Sequence, residues 1–153
     1  MKPVIQRGII AVAVLLVLAL VNGAIYSKER IRSSGERILL ELAPVDPRSL
    51  MQGDYMILRF KLAEHIKPGP GDRVPLVLDS NGVATLDPAN NPASPRIRYR
   101  WRNGWVWLGT NAYFFEEGQA VRFGTARYGE FRLDRQSGEA VLVGLRDKDF
   151  KAL

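Results

Sequence analysis

Acid–base and nucleophilic chemistry need particular side chains, and few are present in this sequence. Asp46 and Asp54 bracket a stretch rich in turn formers, and Glu116 and Glu117 are adjacent. Paired carboxylates act as acid and base only when they oppose one another in a cleft that displaces their pKa values. Adjacent residues of a strand point to opposite faces, so Glu116 and Glu117 read as solvated acids or as partners for the many arginines. His65 is the single histidine; it follows Glu64 and shortly precedes Lys67-Pro68. A Ser-His-Asp triad would have to use it, and a multi-histidine metal site is excluded. The chain has no cysteine, which removes disulfides, thiolate nucleophiles and cysteine zinc sites. No metal and no cofactor are expected. Gly53-Asp54-Tyr55 reads first as a turn: glycine permits positive φ, Asp54 accepts nearby backbone N–H groups and Tyr55 braces the outer face.

The densest pattern lies further on. Arg96, Arg98, Arg100 and Arg102 alternate with Ile97, Tyr99 and Trp101, and Asn103-Gly104 is the preferred pair of a two-residue type I′ turn. Such a turn sets Arg102 opposite Trp105, Trp101 opposite Val106 and Arg100 opposite Trp107. One face then carries Ile97, Tyr99, Trp101, Val106 and Leu108 into the core, and the other carries the arginines with Trp105 and Trp107. The plain reading of that second face is a solvated surface with cation–π stacking, about 0.5–1 kcal/mol per exposed contact. Its functional reading is a binding face for an anionic lipid, an envelope polymer or an acidic protein patch. Single-stranded nucleic acid suits a similar surface, but a net charge of +6 is mild and no nucleic-acid partner is expected.

These residues hang from an N-terminal segment of another kind. Residues 8–27 carry no charge, and Ile9 to Val21 is apolar throughout. Twenty helical residues rise about 30 Å, the thickness of a hydrocarbon core. The uncharged stretch is longer than the roughly 7–15-residue h-region of a cleaved signal peptide, so a retained anchor is expected, with the bilayer as first partner. Basic residues on both sides leave orientation contested: Lys28, Arg30, Arg32 and Arg37 outnumber Lys2 and Arg7. Long domains cross membranes largely regardless of such charge, and the start resembles a signal sequence. The expectation is a cytoplasmic tail over 1–7, a transmembrane helix over 8–27, a stalk over 28–36 and a soluble domain over 37–153, periplasmic in a bacterial inner membrane.

Within that domain, residues 37–43 read as a first strand, ended by Pro44. After Gly53-Asp54, Met56, Leu58, Phe60 and Leu62 alternate with Tyr55, Ile57, Arg59 and Lys61, the pattern of a half-buried strand. Asp79-Ser80-Asn81-Gly82 and Gln136-Ser137-Gly138 mark two further hairpins, and residues 116–123 form a short helix or an irregular strand. About seven short strands without a βαβ pattern predict an all-β domain, a small antiparallel barrel or sandwich with room for one short helix.

Two resemblances bear on function. Asp46-Pro47-Arg48, then Gly53-Asp54-Tyr55 with Leu58 three positions on, resembles the motif that names the GDYXXLXY family of bacterial membrane-anchored proteins, with Phe60 in place of the final tyrosine. Residues 113–120 and 126–130 look like the family's second half. The resemblance implies one N-terminal membrane helix, a compact domain, association with a multi-spanning membrane protein, and no particular activity. Residues 50–57 also look like the turn and strand after the nucleophile of signal peptidases. However, the nucleophile's position is Val45, Ser49 stands at the wrong distance, and Lys61 would face solvent. An unactivated serine is a poor nucleophile. The expectation is therefore a membrane-anchored, non-catalytic interaction or scaffolding module. The alternative is a degenerate or unrecognised hydrolase with a signal-peptidase-like barrel, using Asp46, Asp54 or Glu117.

Overall fold

A computed structural model describes residues 3–44, 51–52, 55–67 and 69–153. The chain begins with one continuous helix, α1 (Pro3–Ser34). At 1.5 Å per residue it is about 48 Å long, roughly 18 Å more than a hydrocarbon core. Its aliphatic side chains from Ile5 to Ile25 stand exposed, as on a helix whose surroundings are lipid. Ile5–Ser34 is long and apolar enough to cross a membrane, a test that a signal sequence near the N-terminus also passes.

The last two turns of α1 behave differently. Ile31 is buried, and Lys28 Nζ donates to Glu139 Oε2 at 2.8 Å. The Gly35 N–H donates to the Ile31 carbonyl at 2.8 Å. A Cβ on Gly35 would lie 2.4 Å from that carbonyl oxygen and 3.0 Å from Arg132 Cβ, so glycine is what lets the chain leave the helix here.

Among the described residues, eleven strands and two short helices follow. They are β1 (Glu36–Glu41), β2 (Met51–Gln52), β3 (Tyr55–Ile57), α2 (Lys61–Glu64), β4 (Arg73–Leu78), β5 (Ala84–Leu86) and β6 (Arg96–Arg98). Then come β7 (Arg100–Arg102), β8 (Trp105–Trp107), β9 (Ala112–Phe114), α3 (Ala120–Phe123), β10 (Tyr128–Leu133) and β11 (Ala140–Arg146). All-β architecture after a long apolar helix is what the alternating patterns predict. Of the barrel or sandwich expected, no closed barrel is found: the strands form sheets β1-β10-β11, β2-β3-β9 and β5-β4-β6 and a ribbon β7-β8, with no closure among the described residues. Strands of three residues offer too few ladder bonds to carry one sheet around a circle. Single bridges stitch the sheets instead, Leu39 to Val83 and Leu42 to Phe60.

The largest sheet is antiparallel throughout, with Ile38 facing Phe131 and a bulge between Glu130 and Phe131. Ile38, Leu40, Leu58, Leu76, Ile97, Leu108, Phe131, Leu133 and Leu145 are the sealed centre of the core. Phe60 meets Phe131 edge-to-face at 5.4 Å. A Cβ on Gly129 would touch both rings at 3.0 Å, so the sheet needs glycine where the aromatic pair crosses it. Glu130 is a buried carboxylate, held by the Nε groups of Arg37 and Arg146.

Candidate functional site

Period-2 burial between Met56 and Leu62 holds, since all four of Met56, Leu58, Phe60 and Leu62 are buried. The strand itself stops at Ile57. Residues 58–60 stay extended and α2 begins at Lys61, which turns Lys61 Nζ onto Glu41 rather than to open solvent. This early exit from the sheet leaves space between residues 57–66 and the β7–β8 ribbon.

The ribbon has the register that Asn103-Gly104 dictates: Arg100 faces Trp107, Trp101 faces Val106 and Arg102 faces Trp105. Asn103 and Gly104 both take positive φ, 51° and 79°, as a type I′ turn requires. Residues 96–102, however, are not one strand. β6 pairs with β4, setting Ile97 opposite Val74, and β7 pairs with β8, with the buried Tyr99 between them. The four arginines therefore part company. Arg98 Nε lies 2.8 Å from Asp72 Oδ2, and Arg96 donates to Asn90 Oδ1 at 2.6 Å. The loop holding Asn90 is organised by Asp87, which accepts from Ser94 Oγ and from the Ala89 and Asn91 N–H groups. The Ser94 hydroxyl first, then the Asn91 N–H, holds that carboxyl below its ordinary value. Arg100 and Arg102 remain exposed on the ribbon.

Trp101 departs from expectation. It shares a face with the buried Val106 yet is 50% exposed, because no second layer covers the tip of the two-stranded ribbon among the described residues. Trp101 is nonetheless one of the residues, with Trp105 and Trp107, that line a groove of about 730 Å³ floored by Leu58, Phe60 and Ile66. The three tryptophans of the chain are thus all in one place. Arg59 stacks its guanidinium 4.3 Å from the Trp105 ring centroid, and Arg102 lies 5.9 Å from that of Trp107. Sequence alternation sent Arg59 to the solvent side of a strand and gave no hint of this partner. Asn111 was missed too: its carbonyl accepts the Leu58 N–H at 2.7 Å, and its Oδ1 is buried with no donor among the described residues. Nothing in the sequence distinguishes it from a loop asparagine.

Of the motif residues, three lie among the described residues. Leu58 and Phe60 line the groove from the core side. Tyr55 stacks against Phe114 at 5.6 Å on the same face of β3 as Ile57, whose side chain enters the groove wall. Asp46, Pro47, Arg48, Gly53 and Asp54 lie outside the described residues. Glu116 and Glu117 are exposed, and neither lines the groove. His65 is exposed, with Nδ1 2.9 Å from the Lys61 carbonyl oxygen. Among the described residues no three His, Cys, Asp or Glu side chains gather as metal ligands would. Apart from Arg59 and Arg102, the one charged side chain in the lining among the described residues is Glu64. The groove thus has an apolar floor, an aromatic wall and cationic edges. No curated protein and no solved structure matches the chain. The model of the family described as GDYXXLXY protein matches residues 17–145, and the chain belongs to that family.

Proposed function

We propose that this chain is a single-pass membrane protein of the bacterial inner membrane whose periplasmic domain is a non-catalytic interaction module, binding through the groove between β7–β8 and residues 57–66. The observation that carries the reading is the gathering of Trp101, Trp105 and Trp107 around an open apolar cleft with Arg59 and Arg102 at its edge. Exposed tryptophans flanked by arginine are the side chains most enriched where proteins meet partners. A partner that is itself embedded in the membrane, as the family resemblance suggests, would meet a domain held beside it by α1.

The test is site-specific photo-crosslinking of the full chain in native membranes, with the probe at Trp101 in the groove and, as control, at Val121, which is 87% exposed and outside it. A protein adduct formed from Trp101 and not from Val121 supports the reading. Adducts to lipid alone would replace it with an anionic-lipid site, and equal labelling from both positions would refute it. For orientation, a reporter enzyme active only outside the cytoplasm, fused after Leu153, should be active.

A further inference from the structure

Resting on that reading, we infer that the groove takes a peptide segment that pairs large apolar side chains with a carboxylate. The first argument is charge. Arg98, Arg135 and Arg146 are each within ion-pair distance of an acid. Arg59, Arg100 and Arg102 have no such partner among the described residues, and Arg59 and Arg102 rest only on tryptophan faces. An arginine held over a ring keeps its N–H donors at the edge of the stack, free to grip a carboxylate in the plane of the guanidinium. With Glu64 the single acid in the lining among the described residues, the described groove edge is net cationic and complements a negative group.

The second argument is shape. Ile57 and Ala112 are register partners that both enter the groove, and Tyr55 with Phe114 continues the same pair of strands beyond it. Phe114 is 75% exposed. The apolar surface therefore runs on as a strip past the cleft, the form suited to a chain rather than to a compact ligand.

The third argument is position, and it separates a protein segment from the anchoring bilayer. Gly35 lies against Arg132 while Lys28, two turns back, reaches Glu139, and residues 27–36 share a cleft with 133–136. The β10–β11 turn thus runs back alongside the end of α1, and β1 runs the other way. Leu42, just past the far end of β1, bridges to Phe60 in the groove floor. Six strand residues span about 20 Å, so the groove lies about that far beyond the helix exit, out of reach of headgroups around α1.

The full chain, reconstituted in nanodiscs, would be panned against a phage-displayed library of short random peptides. Clones that also bind a Trp105→Ala/Trp107→Ala variant would be removed. The expected winners combine Asp or Glu with Leu, Ile, Phe or Trp and shift the intrinsic tryptophan emission on binding. Arg59→Gln/Arg102→Gln should weaken the best of them at least tenfold, while circular dichroism shows the variant folded. Winners that are basic or purely apolar, or that bind the arginine variant equally well, would overturn the acidic preference yet leave the groove a binding site. A library that yields no groove-dependent peptide overturns this inference, and the crosslinking result at Trp101 then decides separately whether the interaction module stands.

Discussion

Replacing Glu130 by alanine should be among the most damaging single changes in the β domain. The side chain is 10% exposed on β10, where it faces Leu39 of β1 and Gly144 of β11. Its two oxygens receive the Nε groups of Arg37, at 3.2 Å, and of Arg146, and Arg132 lies 3.9 Å away. Arg146 also donates Nη1 to the Phe150 carbonyl, so the same guanidinium ties the C-terminal segment to the sheet. Removing one member of a buried ionic group costs about 3–5 kcal/mol, chiefly because the remaining charge loses its partner in a poorly solvated place. Here the guanidiniums are not sealed: the side chains of Arg37 and Arg146 are 40% and 23% exposed. Water recovers part of the loss, which brings the expected cost to about 2–3 kcal/mol. For a domain of this size that corresponds to a fall in Tm of about 8–12 °C. Near-ultraviolet circular dichroism of the detergent-solubilised chain would follow it through the tryptophan signal. A double-mutant cycle with Arg146→Ala should return a coupling of at least about 1 kcal/mol. A Glu130→Ala protein melting within about 2 °C of the parent would show that these contacts are neutral, and the reasoning would fail.

Three further outcomes follow from the geometry. Gly35→Val should unseat the end of α1 from the sheet, since even a Cβ meets the Ile31 oxygen at 2.4 Å; spin labels at Lys28→Cys and Glu139→Cys, clean in a cysteine-free chain, should then show a broadened distance distribution, and an unchanged one would refute it. Glu36, Asp87 and Asp134 all have lowered pKa values, caused first by the Arg135 guanidinium, the Ser94 hydroxyl and the Ser137 hydroxyl respectively. Depressed folded-state values mean stability that is present above the unfolded pKa and lost as pH falls through the folded one, so urea stability should decline from about pH 4 downward and Asp87→Asn should flatten that decline. Arg59→Ala should change tryptophan emission through Trp105 while moving Tm by no more than about 3 °C, because an exposed cation–π contact contributes only about 0.5–1 kcal/mol.

Local turn chemistry is where the sequence is most readable. Asn103-Gly104 set the register of β7 and β8 to the residue, and Asp79 to Gly82 and Gln136 to Gly138 marked the turns of β4–β5 and β10–β11, because each hairpin is specified within a dozen residues. The helix expected within 116–123 is there, shortened to Ala120–Phe123. Non-local competition is what alternation cannot show. Val74 of β4 claims Ile97, so the arginine run splits at Tyr99, and two of its four arginines leave for Asp72 and Asn90. The alternation after Asp54 forecast burial correctly at Met56, Leu58, Phe60 and Leu62 but not the change from strand to helix at Lys61, since a buried turn of helix can satisfy the same positions. The groove itself exists because of that change, so no single segment carried its signal.

The two ends of the domain are held by different physics, and this bears on why the groove sits where it does. Near α1, basic side chains have partners: Arg135 grips Glu36 through two hydrogen bonds, Arg73 donates to the Gln136 carbonyl, and Lys28 takes Glu139. That end is fastened by pairs that span strands, turn and helix. The β7–β8 ribbon has no such fastening. A two-stranded hairpin is marginal in water on its own, and this one leans on the core through Val106 and Leu108 and on residue 59 through a cation–π stack. Among the described residues Arg100 and Arg102 have no acidic partner, and only the Trp107 ring holds Arg102. Their cost in repulsion and the exposure of Trp101 and Trp105 are features of a surface shaped for contact, whereas the paired end is shaped for attachment.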